Sequence, residues 1–296
     1  MDMRRHYTAP VSQISRVDCE MLIKLAIQED APEGDKTADS IFGTDQLAKA
    51  AIVPREDGVL CGLSVVRFLL DVFFEETSQR VEVKTDLRDG DRFRTGQKIA
   101  EFAGPVRSIL RLERPILNFL QYLSGISTVT DSAIKSAPEG VAILDTRKTL
   151  PGYRKLAKHA VFCGGGTNHR IHLSDMALIK DNHIAASGSI RSAVEKIRAK
   201  YPGLPVEVEI DSPDQLQEVL SCDVFVVLLD NMDAANIRRC VETIRTVPES
   251  RRPMIEISGR WRTDRLGELT GLGPLGVSMG FLTHTTRFLD LSMEII

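Results

Sequence analysis

The sequence predicts an α/β protein in which a small helix-plus-sheet domain precedes a parallel sheet covered by helices. Two observations carry that expectation. Up to about residue 116 helical and extended patterns are mixed, whereas from about residue 140 short apolar runs alternate with amphipathic helices through roughly six units. Each of those units also delivers a polar residue or a glycine at its C-terminal end. An open doubly wound sheet needs such residues only beside its switch point, while a barrel gathers every strand end at one mouth, so the pattern favours a barrel.

In the first region, Ser64 to Glu75 puts Val65, Leu69, Val72 and Phe73 on one side of a helix. Between Arg80 and Phe102, Val81, Val83, Ile99 and Phe102 sit in extended stretches broken by Arg88-Asp89-Gly90-Asp91 and Thr95-Gly96, which are turn signals. The six later runs are Val141–Leu144, Met176–Ile179, Val206–Ile210, Val224–Leu229, Met254–Ile257 and Leu275–Ser278. Ser212-Pro213-Asp214 starts one intervening helix, with Ser as cap and Pro in the first position. Another is expected from about Ala234 to Ile244, with Ile237, Val241 and Ile244 on its buried face.

Composition narrows the class of function. The 296 residues carry 38 Lys and Arg against 41 Asp and Glu, a net charge of −3, with 43% hydrophobic and 27% charged residues. That is enough ordinary globular chain for one large domain or two modest ones, and it excludes disorder, collagen and a small disulfide scaffold. Mild acidity argues against general nucleic-acid or anionic-membrane binding, so any anion site must be local. The longest purely apolar stretch, Val224–Leu229, is far shorter than the roughly 18 residues of a membrane span. Met1 to His6 has no apolar segment behind it, so no secretory signal is expected. Cys19, Cys61, Cys163, Cys222 and Cys240 are odd in number, widely spaced and without a CxxC, which suits reduced thiols in a cytoplasm. No structural disulfide or zinc site is expected.

The candidate chemistry lies at the strand ends. Arg147, Lys148, His169, Arg170 and Lys180 fall at or near the ends of the first two units and could converge on one pocket. Burying such a cluster without counter-anions costs several kcal/mol, about the scale of an unpaired buried charge, and a polyanionic ligand would offset that cost. Taken singly, each cation reads as a solvated surface group. Gly164-Gly165-Gly166 could bring backbone N–H groups to an oxyanion, but with no GxxxxGK[ST] or GxGxxG it reads by itself as a flexible turn. Glu209 and Asp230 could grip sugar hydroxyls or Mg²⁺, or simply pair with the nearby cations. His169 and His172 have an i, i+3 spacing that a helix could use for metal, but no third ligand is evident.

Three segments then carry a family resemblance: Leu144-Asp145-Thr146-Arg147-Lys148-Thr149-Leu150-Pro151-Gly152, Cys163-Gly164-Gly165-Gly166-Thr167-Asn168-His169-Arg170 and Leu178-Ile179-Lys180-Asp181-Asn182-His183. Together they resemble the signature of the quinolinate phosphoribosyltransferases. The likeness extends over nearly the whole chain, through Glu29-Asp30 with Gly34-Asp35-Lys36-Thr37, Arg55 to Val59, Glu113-Arg114 with Leu117 to Leu120, and Gly280 to His284. It implies an α/β sandwich-like N-terminal domain, residues 1–116 completed by 287–296, and a phosphoribosyltransferase α/β barrel of about six parallel strands over 117–286.

The resemblance further implies that Arg147, His169, Arg170 and Lys180 hold quinolinate, with Arg114 supplied across a homodimer with shared active sites, whose further assembly the sequence leaves open. Thr146, Lys148, Glu209, Asp230, Ser258, Gly259, Gly280 and His284 would hold 5-phosphoribosyl 1-pyrophosphate. Mg²⁺ would be held mainly by substrate and water near Glu209 and Asp230. Lys148, Lys180, Glu209 and Asp230 are the expected catalytic groups. One segment departs: the family usually has Ser-Gly-Gly where this chain has Ser258-Gly259-Arg260-Trp261. The alternatives are a paralogous phosphoribosyltransferase for another acidic heterocycle and a catalytically silent anion-binding homologue.

Overall fold

The computed structural model describes residues 7–296. The sequence reading of Met1 to His6 lies outside them. Contacts divide the chain into two compact units. One comprises Val11–Asp131, Thr149–Gly165 and Phe281–Ile296; the other comprises Ser132–Lys148 and Gly166–Gly280 together with the N-terminal residues through Pro10.

Along the chain the first elements are α1 (Glu20–Asp30), α2 (Lys36–Ile41), β1 (Leu47–Pro54), β2 (Gly58–Val59), α3 (Leu63–Thr77), β3 (Glu82–Lys84), β4 (Arg92–Phe93), β5 (Ala100–Pro105) and α4 (Val106–Ser136). Asp35 starts α2 by accepting hydrogen bonds from the N–H groups of Thr37 and Ala38. Helix α3 buries Val65, Leu69, Val72 and Phe73, the face its periodicity predicts. Helix α4 buries Ile109, Leu112, Ile116, Leu120 and Leu123 at helical spacing. It is one helix with Pro115 inside it, so it runs through residue 116, where the sequence suggested a boundary.

Next come β6 (Val141–Leu144), α5 (Arg154–Cys163), β7 (Ala177–Ile179), α6 (Asp181–Ser187), α7 (Ile190–Lys200), β8 (Val206–Ile210), α8 (Leu216–Ser221), β9 (Val226–Asp230), α9 (Ala234–Arg245), β10 (Met254–Ser258) and β11 (Leu275–Ser278). The six described strands of this stretch form a parallel sheet in the order β6-β11-β10-β9-β8-β7. Their apolar runs are buried on both faces, as a helix-covered parallel sheet requires. The Ser212 cap starts a 3₁₀ turn, Pro213–Gln215, ahead of α8. Beyond β6, Thr167 bridges Leu144 in parallel and extends that edge.

The chain closes with α10 (Phe281–His284) and β12 (Leu291–Ile295). Strand β12 returns to the N-terminal sheet, whose order is β12-β1-β5-β3, and pairs antiparallel with β1 from Ala50↔Ile295 to Pro54↔Leu291.

Candidate active site

The parallel strands end in register, so their C-terminal residues share one rim: Ser258 lies opposite Asp230, and Ser278 opposite Leu144. Inside that rim is a cavity of about 360 Å³ lined by Thr146, Arg147, Lys148, His169, Arg170, Lys180, Glu209, Glu256 and Ser258, among others. A larger cavity, about 560 Å³, shares Arg147, Arg170 and Lys180 and continues along α6 and α7. The five cations singled out by the sequence therefore do converge.

Asp145 organises the segment that delivers two of them. It is fully buried, accepts from Asn168 Nδ2 at 2.7 Å and accepts from the His169 backbone N–H at 2.8 Å. The Thr8 hydroxyl donates to the Asn168 carbonyl at 3.1 Å. Arg170, only 7% exposed, donates through Nη1 to the Met176 carbonyl at 2.8 Å. Burial, and then repulsion from Arg147, lower the Arg170 guanidinium from its ordinary value. Arg147 Nε is buried without a hydrogen-bond partner among the described residues. Two guanidiniums that repel each other, one with an unsatisfied donor, make a cavity that gains by taking an anion.

A layer below the rim, His169 Nε2 lies 3.1 Å from both Glu207 Oε2 and Glu256 Oε2. These glutamates come from β8 and β10, strands separated by β9 and hence roughly 9–10 Å apart along the sheet. Strands β6 and β7 are the two edges of the sheet, yet Arg147 and Lys148 after β6 line the same cavity as Lys180 after β7, so the sheet curls round that cavity in the manner of a barrel. Gly276 belongs to the same interior, since a Cβ there would meet Leu144 Cδ1 at 2.3 Å and the Tyr7 hydroxyl at 2.7 Å. Tyr7 donates to the Ile255 carbonyl at 3.0 Å, and its ring lies 5.8 Å from that of His169.

Burial, reinforced by the charge of Glu256, pushes Glu207 up to about 7. Burial opposes a charge on His169, but Glu256 and Glu207 outweigh it and raise the imidazole as well. The Arg170 N–H donates to His169 Nδ1 at 2.8 Å, which requires a lone pair there. That contact favours a neutral ring with its proton on Nε2, and it places the extra proton of the cluster on Glu207. The three groups could instead hold a small divalent ion. With both nitrogens engaged, His169 presents its ring to the cavity. Sequence reasoning passed over Glu207 and Glu256. Their signal was available: in Val206-Glu207-Val208-Glu209-Ile210, Glu207 shares a strand face with Glu209, and Glu256 interrupts an apolar run.

At the rim, Lys180 is ion-paired with Glu209. That is the pairing the sequence analysis offered as the alternative role of this carboxylate. The Thr146 hydroxyl accepts from the Lys148 N–H at 3.1 Å, and the Lys148 side chain is exposed. Asp230 Oδ2 accepts from Asn231 Nδ2 at 2.6 Å and is half-buried. Gly259 has φ +98°, and a Cβ on it would meet Asn231 Oδ1 at 2.4 Å, so glycine is required there on both counts. Arg260, the departure from the family pattern, is exposed and holds φ +53°, a conformation glycine adopts without strain. Trp261 beside it is buried, with the Arg265 guanidinium 4.6 Å above its ring.

Gly280 follows β11, whereas Arg114 and His284 belong to the other unit, Arg114 largely exposed on α4 and His284 exposed at the end of α10. His172 lies outside any helix and is exposed, so the i, i+3 spacing from His169 makes no pair. The glycine run is a packing feature rather than a flexible turn, because a Cβ on Gly164 would strike the Ser127 carbonyl oxygen at 2.4 Å.

Fold and site together define an α/β protein with an anion-binding cavity at the C-terminal ends of its parallel strands. The model of the quinolinate phosphoribosyl transferase C-terminal domain matches residues 126–294, and that of the N-terminal domain matches residues 35–124. The chain is 37% identical over 284 residues to a probable nicotinate-nucleotide pyrophosphorylase [carboxylating] of Bacillus subtilis, covering 95% of each. It is also 37% identical to the Mycobacterium leprae nicotinate-nucleotide pyrophosphorylase [carboxylating], over 94% of this chain and 99% of that one. Among solved structures, NadC from Streptococcus pyogenes superposes with a TM-score of 0.89 at 36% identity, covering 96% of this chain and 98% of that one. The chain belongs to the quinolinate phosphoribosyltransferase family.

Proposed function

We propose that this chain transfers the phosphoribosyl group of 5-phosphoribosyl 1-pyrophosphate to quinolinate and decarboxylates the product, giving nicotinate mononucleotide, pyrophosphate and CO2 for de novo NAD synthesis. The observation that carries the reading is the Arg147–Arg170 pair in the strand-end cavity, a half-buried guanidinium with an unsatisfied buried Nε beside a buried one that it repels. A pyridine with two adjacent carboxylates supplies the charge this pair lacks. Lys180 at the rim adds a third cation once its contact with Glu209 is shared with substrate.

In the reaction the pyridine nitrogen forms a bond to ribose C1 as the bond to pyrophosphate breaks. The ring nitrogen becomes positive, accepts the electron pair released when the 2-carboxylate leaves as CO2, and the ring carbon takes a proton. Catalysis then consists of holding both anions in line and stabilising positive charge at C1, for which Glu209 and Asp230 lie at adjoining strand ends. Lys148 would face the departing pyrophosphate together with the Thr146 hydroxyl, Ser258 and the backbone at Gly259 and Gly280. Glu209 and Asp230 belong to no group of three metal-ligating side chains among the described residues, which suits a Mg²⁺ held chiefly by pyrophosphate oxygens and water. Such an ion would neutralise leaving-group charge.

Arg114, supplied across a homodimer, and His284, on phosphoribosyl pyrophosphate, complete the reading on the strength of the family resemblance alone. No helix among the described residues is long and apolar enough to cross a membrane. Cytoplasmic placement is part of the proposal and rests on the widely spaced cysteines of the sequence. Pyrophosphate release measured with quinolinate and with nicotinate tests the substrate assignment. Strong preference for quinolinate is expected, because nicotinate would leave part of the Arg147, Arg170 and Lys180 cluster unpaired. Comparable turnover of nicotinate would overturn it.

A further inference from the structure

The unit that does not contain the parallel sheet gathers Cys61, His159 and Cys163, groups that the proposed reaction does not use. One ligand atom from each lies within 4.8 Å of the other two. His159 and Cys163 sit four residues apart on α5, on one face of the helix, with Nε2 to Sγ at 3.5 Å. Cys61 comes from the turn before α3 and is fully buried, while Cys163 is half-buried and gives the cluster a way out to solvent.

Two features preorganise the cluster. His159 Nδ1 lies 2.9 Å from the Val11 carbonyl, an acceptor only, so Nδ1 carries a proton and Nε2 faces the sulfurs. This is the arrangement that orients a metal-ligating histidine. The Ser124 hydroxyl holds both backbone groups of Cys61, accepting from its N–H at 3.0 Å and donating to its carbonyl at 3.2 Å. The sulfur positions are thus set by buried hydrogen bonds and a helix, not by a mobile loop.

The geometry points to a soft divalent-metal site, of the Zn²⁺ type, with Cys61, His159 and Cys163 as ligands and the fourth position open. In a tetrahedron with the usual Zn–S and Zn–N lengths, sulfur and nitrogen ligands stand about 3.5 Å apart and two sulfurs about 3.8 Å apart. The Cys163–His159 separation already has that length. Asp89 Oδ2 is 3.6 Å from the same nitrogen, but Asp89 also accepts from the amides at the start of α3, so it tempers local charge rather than completing the ligand set. Two thiolates and a neutral imidazole suit Zn²⁺ and exclude Mg²⁺ as the preferred occupant, which makes this site distinct from any ion that serves phosphoribosyl transfer. Bound metal would tie the end of α5 to the turn before α3.

The test is titration of Co²⁺ into the full-length, thiol-reduced protein, followed by its absorption spectrum. The expected result is a thiolate-to-cobalt charge-transfer band saturating at about one ion per chain, lost on adding Zn²⁺. That band separates this site from His169, Glu207 and Glu256, which offer no sulfur. Cys61→Ser and Cys163→Ser should each weaken the band and the Zn²⁺-induced rise in melting temperature. If either variant fails to fold, the wild-type spectrum still decides. Absence of a charge-transfer band in the reduced wild-type protein would overturn the proposal, as would a band unchanged in folded Cys61→Ser and Cys163→Ser.

Discussion

Lys180 is ion-paired with Glu209, and the proposed function gives it a contact to quinolinate. Lys180→Ala should reduce kcat/KM by the equivalent of about 2–4 kcal/mol, the scale of losing one charged donor, as read in steady-state pyrophosphate release. A loss below tenfold would show that Lys180 serves only to hold Glu209. Arg260 offers a second test at this scale. Its left-handed backbone stores strain that glycine would not, while glycine adds freedom to the unfolded chain. Arg260→Gly is therefore expected to stabilise by up to about 1 kcal/mol in urea unfolding, with the KM for phosphoribosyl pyrophosphate nearly unchanged because the side chain is exposed. A lower unfolding midpoint would mean that Arg260 makes stabilising contacts which its exposure belies. The strand-end cations were legible residue by residue, because charge at the end of an apolar run is visible in one dimension. Glu207 and Glu256 were not read: each shows as an acid inside an apolar strand, but their meeting at His169 is a three-dimensional fact.

Strands β8 and β10 carry that buried pair, and the consequence is a pH-dependent stability. The folded cluster raises Glu207 to about 7, so between the unfolded carboxylate value and about 7 it binds a proton more tightly than the unfolded chain does. The part due to Glu207 is fully present below the unfolded carboxylate value and is lost as pH rises through about 7. Stability should then fall between about pH 5 and 7 by up to about 1.4 kcal/mol per pH unit, and Glu207→Gln should flatten that slope. Chemical denaturation at several pH values would show it; an unchanged slope in the variant would place the proton elsewhere. At the scale of elements the sequence was informative where periodicity was strong, as in α3, α9 and the six parallel strands. It was less so in two places. Helix α4 continues through Pro115, and the glycine run that read as a flexible turn is packed against the Ser127 carbonyl. Close backbone approach leaves no local pattern in sequence, and the four-residue spacing of His159 and Cys163 does not announce the distant Cys61 that joins them.

On the scale of the whole molecule, the account assigns Arg114 of one protomer to its partner's site. Arg114 is largely exposed, beside Glu113 at 3.6 Å. Arg114→Ala and Lys148→Ala should each give nearly inactive homodimers, while co-refolded mixtures regain activity. One site of each mixed dimer inherits both defects and the other neither, so random pairing should restore roughly a quarter of wild-type activity. Failure to recover with mixed dimers present would return Arg114 to its own chain. The central claim is the coupled transfer and decarboxylation, and its most direct measurement uses quinolinate labelled in the 2-carboxylate with phosphoribosyl pyrophosphate and Mg²⁺. The account predicts labelled CO2 and pyrophosphate released in equal amounts, with both products lost together in Arg170→Ala. Pyrophosphate release without labelled CO2, or quinolinate binding with neither product, would contradict it.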